Sequence, residues 1–254
     1  MFKDKVVAIT GAASGIGRAL AVETAAQAAR LALADLNLRA LQETVSLLVP
    51  GTSVRAYELD VSSRDAVFGF ADSVQRDFGA AHFIVNNAGT ATLAAFDHVT
   101  LEEIEKVLAI NLWGVIYGTK AFLPIMQLQR EGCIVNISSV FGLVATPCSV
   151  AYTISKFGVR GLTETLWYEL EGTGVRAVLV HPGGINTNIS KTPEAKFAGE
   201  FERRVAEGNL RQMTTAPADC ARQIVEGLKR GDKRLLVGNG AKTLHWISRL
   251  FPHG

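Results

Sequence analysis

Tyr152 and Lys156 are the residues whose types and spacing suggest chemistry most directly in this sequence. The surrounding pattern predicts a helix over residues 152–171, and side chains four positions apart on a helix share one face. A free tyrosine has a pKa near ~10 and is a poor acid or base at neutral pH, but a cation within ~4–6 Å can lower that pKa by roughly 1–3 units. A phenol tuned in this way can exchange a proton with an alcohol oxygen. The alternative is a core tyrosine that happens to precede a surface lysine.

Polar residues from other predicted elements could complete a site around Tyr152. Ser139 ends a predicted strand thirteen residues earlier, so its hydroxyl can face the phenol and hydrogen-bond a carbonyl oxygen. Asn111 interrupts the apolar pattern of a predicted helix, where it could equally be a tolerated helix asparagine. The run after the sixth predicted strand could close over the far end of a cofactor; it reads Pro182-Gly183-Gly184-Ile185-Asn186-Thr187.

A glycine-rich run lies between the first predicted strand and the first predicted helix. Glycines there allow a tight turn and close packing, and the helix N-terminus offers N–H groups and the positive end of its dipole to a pyrophosphate. The spacing is G-x-x-x-G-x-G, and a simple tight turn is the alternative. The candidate nucleotide-binding residues in this run are Gly11, Ser14, Gly15, Ile16 and Gly17.

Three further candidates follow the second, third and fourth predicted strands, and ligands bind at the carboxyl ends of strands in open α/β sheets. Asp35 lies about twenty residues beyond the glycine run. An acid there can hydrogen-bond an adenosine ribose, and its charge opposes a 2′-phosphate, so it predicts NAD over NADP; a helix-capping aspartate is the alternative. The other two candidates could hold the adenine and pass close to the ligand, and they are Asp60-Val61 and Asn87-Ala88-Gly89.

Short apolar runs that alternate with longer helical patterns would position these residues. The predicted strands are residues 5–10, 31–35, 54–59, 83–86, 132–138, 175–180 and 234–237. The predicted helices are residues 15–29, 38–48, 63–78, 101–129, 152–171 and 217–230. The strands are nearly continuous apolar runs, so the alternation predicts an α/β fold with a doubly wound, seven-stranded parallel sheet and helices on both faces.

Two stretches lie outside this alternation. Residues 183–213 contain no predicted strand, and long insertions at that place are often substrate lids. Residues 238–254 form a tail that could pack on the body, on a neighbouring subunit or on a membrane surface. Its apolar residues have roughly helical spacing, and they are Leu244, Trp246, Ile247, Leu250 and Phe251.

Composition narrows the class of protein. The chain has 254 residues, of which 48% are hydrophobic and 20% charged, and this is enough for one α/β domain over residues 1–254. A net charge of +2 gives no indication of nucleic-acid binding. No signal peptide, membrane span or metal-ligand spacing is predicted, and three scattered cysteines indicate a reducing compartment, which we take to be the cytoplasm.

The sequence resembles the short-chain dehydrogenase/reductase family in its single-domain form. The resemblance covers nearly the whole chain, residues 5–237, and rests on the TGxxxGxG loop, the NNAG run, Ser139, the Y-x-x-x-K pair and the PGxIxT run, in the family's order. It implies a Rossmann fold and hydride transfer between a nicotinamide cofactor and an alcohol/carbonyl pair. One small departure is Ala28-Ala29, where many relatives end the first helix with Gly-Ala.

The resemblance also implies a role for each candidate residue. Tyr152 would be the general acid/base and Ser139 would orient the substrate oxygen. Lys156 would lower the pKa of Tyr152 and bind the nicotinamide ribose, and Asn111 would hold a water in a proton relay to Lys156. Residues of the run after the sixth strand would contact the nicotinamide end, and they are Pro182, Gly183, Ile185 and Thr187.

The substrate is predicted to be a small, lipophilic alcohol or ketone, because candidate pocket residues outside the motifs are mostly apolar: Leu93, Phe96, Phe141, Val144, Pro147, Cys148, Ile189 and Met213. The cations of the lid could instead meet an acidic substrate or form a solvent face, and they are Lys191, Lys196, Arg203, Arg204 and Arg211. The alternatives are an NADPH-dependent 3-oxoacyl-thioester reductase and a dinucleotide-binding regulator without turnover.

A homo-oligomer, a tetramer or a dimer, is predicted from the helix that carries Tyr152. Its far side has apolar residues and glycines where the outside of a monomer should be polar: Ile154, Phe157, Gly158, Gly161 and Tyr168. The predicted helix over residues 101–129 is also apolar on several sides, and relatives commonly assemble through these two helices. The alternative is that the lid or the tail covers this surface within one subunit.

Overall fold

The structure is a computed structural model that describes residues 1–187, 189 and 199–250. Its strands are β1 (Val6–Thr10), β2 (Arg30–Asp35), β3 (Val54–Glu58), β4 (Phe83–Asn86), β5 (Gly132–Ile137), β6 (Val175–Pro182) and β7 (Arg234–Val237). Its helices are α1 (Gly15–Ala25), α2 (Leu38–Ser46), α3 (Arg64–Phe78), α4 (Leu101–Leu108), α5 (Gly114–Gln129), α6 (Val150–Glu169), α7 (Glu200–Gln212), α8 (Pro217–Arg230) and α9 (Ala241–Leu250).

All seven strands pair in parallel in one sheet, in the order β3-β2-β1-β4-β5-β6-β7. The predicted doubly wound sheet with helices on both faces is confirmed. Helices α1, α2 and α8 pack on one face, and α3, α5 and α6 pack on the other. The strand order reverses between β1 and β4, and this reversal opens a crevice at the carboxyl ends of the strands.

Several predicted boundaries differ from those observed, each for a local reason. The first helix ends at Ala25 instead of 29, because the chain reaches a φ of 58° at Ala28 and turns back into β2. The helix predicted over residues 101–129 is interrupted by a π-helical turn at Ala109–Trp113. The helix of Tyr152 begins two residues early, at Val150, and ends at Glu169.

Two observed helices were not assigned from the sequence. Helix α7 lies in the predicted lid, of which the structure describes residues 183–187, 189 and 199–213. Helix α9 lies in the predicted tail and packs against β7, although Trp246, Ile247 and Leu250 on its outer side remain exposed. Lys191, Lys196 and Phe251 lie outside the described residues.

One helical stretch in the described part of the chain, Leu101–Gln129, is long and apolar enough by composition to cross a membrane, with a mean hydropathy of 1.3. Its second half, α5, packs against α3, β4 and β5. A helix of a soluble core passes the same test of length and composition, so this stretch is only weak evidence of a membrane span.

Candidate active site

A single large cleft of about 1270 Å³ runs along the carboxyl ends of the strands. It brings together every site residue predicted from the sequence except Gly17 and Asn111. Gly17 is buried behind the loop, where a Cβ atom would lie 2.1 Å from the carbonyl oxygen of Gly11. Its lack of a side chain therefore lets α1 pack against the glycine loop.

The glycine loop forms one end of the cleft. Gly11 and Gly15 have φ values of 66° and 55°, a backbone conformation that residues other than glycine rarely adopt. Ser14 precedes α1 in an extended conformation and its side chain makes no capping hydrogen bond. The first N–H groups of α1 are left to face the cleft, which is the arrangement that binds phosphate at helix N-termini.

Asp35 and Asp60 supply the negative charge at this end. The Asp35 carboxylate accepts hydrogen bonds from the backbone N–H groups of Ala13 and Asn37, both at 2.9 Å, which fix it beside the glycine loop. A carboxylate has about four lone-pair sites, so Asp35 can still accept from a ligand hydroxyl. Asp60 accepts from the N–H and the hydroxyl of Ser62, and Val61 is buried beside it.

Asn87 joins β4 to the glycine loop. Its Nδ2 donates to the carbonyl oxygens of Thr10, at 2.9 Å, and Gly11, at 3.1 Å. The N–H groups of Asn87 and Ala88 both donate to the Thr10 hydroxyl at 3.1 Å. These bonds hold the two backbones that border the cleft at a fixed separation.

A buried amide network below the cleft was missed in the sequence analysis. Asn86 Nδ2 donates to Asn136 Oδ1 at 2.8 Å, and Asn136 Nδ2 donates to the Thr163 hydroxyl at 3.0 Å. The network ties β4 and β5 to α6, which carries Tyr152. Two asparagines near the ends of apolar strands, which pair in register, were the available signal.

The centre of the cleft holds Ser139, Tyr152 and Lys156. Ser139 follows β5, and its hydroxyl accepts a hydrogen bond from the N–H of Phe141. Lys156 Nζ donates to the carbonyl oxygen of Ile137 at 3.0 Å and lies 5.5 Å from the centre of the Tyr152 ring. The phenol and the ammonium therefore reach one small volume, as the helical spacing predicted.

The electrostatics of this group differ from the expectation that Lys156 would lower the pKa of Tyr152. Burial raises the pKa of Tyr152, and the hydrogen bond with Ser139 partly opposes that rise. Burial also lowers the pKa of Lys156 to about 8. Lys156 therefore remains mostly charged at neutral pH but loses its charge more readily than a free lysine, and desolvation is the dominant effect on both groups.

Asn111 lies in the π-helical turn, fully buried and outside the wall of the cleft. Its side chain exchanges two hydrogen bonds of 2.8 Å with the backbone of Thr90 and donates to the Ser155 hydroxyl at 3.2 Å. A Cβ atom on Gly89 would lie 3.3 Å from Asn111 Oδ1 and 3.8 Å from Lys156 Nζ. Gly89 therefore keeps open the space between these two polar atoms.

The run after β6 borders the opposite side of the cleft. The N–H of Gly183 donates to Val237 and the N–H of Gly184 donates to Asn239, which fixes the run against the loop that follows β7. Ile185 bridges to Thr215 and is buried while lining the cleft. A Cβ atom on Gly15 would lie 3.3 Å from Cγ2 of Thr187, so the end of this run lies close to the glycine loop.

Beyond Tyr152 the cleft has mainly apolar and uncharged walls. Among the described residues that line the whole cleft, the charged side chains are Asp35, Asp60 and Lys156. Leu93, Phe141, Ile189 and Met213 line it as predicted, whereas Phe96, Val144, Pro147 and Cys148 do not. Other residues line the cleft without having been predicted to do so, among them Ala206, Asn209, Leu210, Thr243 and Leu244.

A buried carboxylate fastens α7 over this end. Glu202 is 2% exposed. Its Oε1 accepts a hydrogen bond from the N–H of Ala95 at 2.8 Å and lies within hydrogen-bond distance, 3.0 Å, of His98 Nδ1. Its Oε2 accepts from the N–H of Gly199. The hydrogen bond with Glu202 raises the pKa of His98. Arg203, Arg204 and Arg211 of the same helix point away from the cleft and are exposed.

Comparison with known proteins agrees with this geometry. Residues 5–197 match the family described as short chain dehydrogenase. A protein of Mycobacterium tuberculosis named as an oxidoreductase, SadH, is 40% identical over 98% of this chain and 91% of its own length. Human estradiol 17-beta-dehydrogenase 11 is 30% identical over 98% of this chain and 79% of its own length.

A solved structure shares both the fold and the sequence similarity. It is a short-chain dehydrogenase/reductase from Burkholderia phymatum in complex with NAD, with a TM-score of 0.87 and 31% identity over 98% of this chain and 95% of that one. The chain therefore belongs to the short-chain dehydrogenase/reductase family of NAD(P)-dependent oxidoreductases.

Proposed function

We propose that the protein is an NAD-dependent oxidoreductase that interconverts a neutral, lipophilic secondary alcohol and its ketone. One observation carries the proposal: a single cleft leads from an acidic, glycine-lined end past Ser139, Tyr152 and Lys156 to uncharged, largely apolar walls. The first end suits a dinucleotide, the middle suits proton transfer, and the last suits a substrate without charge.

The residues present fit a nicotinamide dinucleotide. The free N-terminus of α1 would hold the pyrophosphate, and Asp35 would accept from the adenosine ribose. Asp60 and Val61 would border the adenine, and Asn87, Ala88 and Gly89 would pass along the ligand. Ile185 and Thr187 would contact the nicotinamide end together with Pro182 and Gly183, because all four line the cleft at and after the end of β6.

Asp35 favours NAD over NADP, because a 2′-phosphate would bring a second negative charge to its carboxylate. Arg18, a cation of α1, is already engaged. Its guanidinium donates to the carbonyl oxygen of Ala40 at 3.2 Å and to the Thr44 hydroxyl at 3.0 Å, and it pairs with Glu43 at 3.3 Å. Arg18 therefore ties α1 to α2.

The bound cofactor would supply the hydride donor or acceptor. Tyr152 would take the hydroxyl proton as the alcohol becomes a ketone and return it in the reverse direction. Ser139 would hold the substrate oxygen beside the phenol. Lys156 would bind the nicotinamide ribose, and Asn111 would hold a water, in the open space beside Lys156 Nζ, through which protons reach Lys156.

The walls beyond Tyr152 favour a neutral substrate over a charged one. A carboxylate or phosphate placed there would lose its hydration without gaining a cation among the described lining residues. This argues against the alternative of an NADPH-dependent 3-oxoacyl-thioester reductase with a charged carrier. The name of the human relative, an estradiol dehydrogenase, agrees with the neutral class. The assembled Ser139, Tyr152 and Lys156 argue against a regulator without turnover.

A panel of matched substrates tests the proposal on the purified protein. The panel pairs medium- and long-chain secondary alcohols with analogues that end in a carboxylate, and adds a 3-hydroxyacyl thioester of coenzyme A, each with NAD and with NADP. We expect the highest kcat/KM for a neutral alcohol with NAD. Faster turnover of the thioester with NADP would establish the alternative, and no turnover of any alcohol or ketone would contradict the proposal.

We further propose that the enzyme is cytoplasmic and forms a homo-oligomer through the outer face of α6 and the neighbouring α4–α5 segment. Large apolar side chains are exposed on these helices, and they are Leu101, Trp113, Leu128, Ile154, Phe157 and Tyr168. Neither α7 nor α9 covers them. Of the two glycines predicted on this face, Gly158 is covered, because Leu112 of the same chain fills the space beside it, whereas the space at Gly161 is open.

A further inference from the structure

His181 is a fully buried histidine at the end of β6 whose side chain the chemistry above does not use. Its Nδ1 lies 2.7 Å from the carbonyl oxygen of Ser139. A carbonyl oxygen can only accept a hydrogen bond, so this contact assigns the proton to Nδ1. The imidazole is therefore a donor aimed at the backbone of the serine that borders Tyr152.

This hydrogen bond occurs where the sheet can no longer supply one. Strands β5 and β6 pair up to Ile137 and Val180, and the N–H of Ser138 still donates to Val180. After Ser138 the chain leaves the strand and turns into a short 3₁₀ helix, Val140–Gly142. Beyond the strand pairing, the Ser139 carbonyl accepts one hydrogen bond from the N–H of Gly142 at 3.0 Å, and the imidazole of His181 supplies the second.

We infer that His181 is a positioning residue for the proposed reaction: its Nδ1–H gives the Ser139 carbonyl a second hydrogen bond, from β6, and holds the Ser139 backbone so that the serine hydroxyl faces Tyr152. The inference rests on the proposed function, since it gives His181 a role through Ser139. His181 itself lies outside the cleft wall and contacts neither substrate nor cofactor in this account.

The surroundings keep the imidazole in the required neutral form. The pKa of His181 is lowered to about 4, mainly by burial. The hydrogen bond with Ser139 and the charge of Glu164 oppose this shift, whereas the cations Arg234 and Arg160 contribute to it. Arg160 and Arg234 both pair with Glu164. Nε2 has no hydrogen-bond partner among the described residues, so the Ser139 carbonyl is the contact that orients the ring.

Two nearly isosteric replacements separate the hydrogen bond from the packing. His181→Asn keeps an N–H donor near the position of Nδ1, whereas His181→Leu fills a similar volume without a donor. We expect the leucine variant to lose at least about tenfold in kcat while its affinity for NAD stays unchanged, and the asparagine variant to recover most of that loss. Equal kcat values for the two variants would overturn the inference.

The pH profile gives a readout that a folding defect would not move. The hydrogen bond with Ser139 lowers the pKa of Tyr152, so displacement of Ser139 raises it. The midpoint of the pH profile of alcohol oxidation should therefore move to higher pH in His181→Leu, as it should in Ser139→Ala. In His181→Asn the midpoint should return toward its wild-type value. If the activity of His181→Leu were lower at every pH but the midpoint of its pH profile were unchanged, the inference would be contradicted.

The wild-type protein provides a test that needs no variant. Nitrogen NMR of the histidines should show His181 as the neutral Nδ1–H tautomer from pH 5 to pH 9, and an Nε2–H tautomer would overturn the inference. Activity separates this result from the proposed function. If Ser139→Ala and wild type oxidise alcohols equally well, the role of Ser139 in the proposed function fails, whereas if only His181→Leu matches wild type, the role of His181 alone fails.

Discussion

The two ends of the cleft are built in different ways. At the cofactor end, backbone groups and short side chains are joined by hydrogen bonds between neighbouring strand ends, such as those from Asn87 to Thr10 and Gly11. At the substrate end, the walls are side chains from separate segments, such as Leu93, Phe141 and Leu244, under a helix fastened by Glu202. The backbone contacts of the cofactor end form a rigid site that many relatives can share. The side chains that enclose the substrate end can be replaced.

This difference explains why the cofactor class follows from the sequence while the substrate does not. Tyr152 and Lys156 lie between the two ends and serve both. Changes at the cofactor end should therefore alter which dinucleotide binds, changes at the substrate end should alter KM for the alcohol, and changes at the centre should remove turnover.

The largest effect is expected at the centre. Tyr152→Phe removes the phenol proton carrier but keeps the ring that packs against Phe141. We expect the loss of several orders of magnitude in kcat, with NAD binding intact, because the alcohol proton has no other route. Stopped-flow or steady-state turnover and fluorescence titration of NAD measure the two quantities. Near-normal kcat on a good substrate would show that Tyr152 is not the acid/base.

Lys156→Ala provides the contrast, because Lys156 is proposed to serve both the proton transfer and the nicotinamide ribose. We expect this variant to lose both turnover and NAD affinity, whereas Tyr152→Phe loses turnover alone. An unchanged NAD affinity in Lys156→Ala would remove the proposed role of Lys156 in cofactor binding.

The next effect belongs to the cofactor end. Two like charges about 4 Å apart cost about 1 kcal/mol in water and about 4 kcal/mol at an effective dielectric of 20, which corresponds to roughly fivefold to nearly a thousandfold in affinity. We therefore expect a preference of that size for NAD over NADP in kcat/KM. Asp35→Ser should reduce it by relieving the repulsion.

Asp60→Asn is the matched control, since Asp60 is also an acid at a strand end in the same cleft. It should leave the ratio of NAD to NADP nearly unchanged. A clear preference for NADP in the wild type, or an equal change of the ratio in both variants, would show that Asp35 does not select the cofactor.

A smaller effect is expected at the substrate end. Glu202→Ala leaves the partly buried N–H of Ala95 without its acceptor, which costs up to about 1–3 kcal/mol, and releases α7 from the segment before α4. We expect KM for the alcohol to rise several-fold, with little change in kcat or in NAD affinity. Amide hydrogen exchange should show faster exchange in α7.

Glu200→Ala on the same helix serves as the control, because Glu200 is exposed. It should change neither KM nor exchange in α7. If Glu202→Ala behaved like this control, the contact between α7 and the segment before α4 would not shape the substrate end.

The smallest effect on catalysis is expected from changes to the outer face of α6, which faces away from both ends of the cleft. We expect light scattering at micromolar concentration to give a mass that is a multiple of 27.2 kDa, a tetramer or a dimer. Tyr168→Glu would place a charge in the exposed apolar patch and should reduce that mass. A wild-type mass near 27.2 kDa that persists at high concentration would exclude the oligomer.

The sequence predicted most of the cofactor end because each residue there answers a local backbone requirement. Gly11 and Gly15 adopt positive φ values, and Asp35 is the last residue of β2. Such requirements involve only a few neighbouring residues, so they produce a pattern that can be recognised in the sequence.

The substrate end was harder to predict because its contacts join distant segments. Glu202 and Ala95 are 107 residues apart, and an acid in an amphipathic helix gives no sign that it will be buried. Phe96 resembles a pocket residue in sequence but is 74% exposed. His181 was missed for the same reason, since its partner, Ser139, lies 42 residues earlier in the chain, after β5.

A crystal structure with NAD and a bound lipophilic ligand tests most directly the claim that the two ends meet at Tyr152. We expect the adenosine ribose to hydrogen-bond Asp35, and the ligand oxygen to lie within hydrogen-bond distance of both Tyr152 Oη and Ser139 Oγ. The apolar part of the ligand should extend toward Leu93 and Leu244. A ligand oxygen remote from Tyr152, or an adenosine bound away from Asp35, would contradict the account.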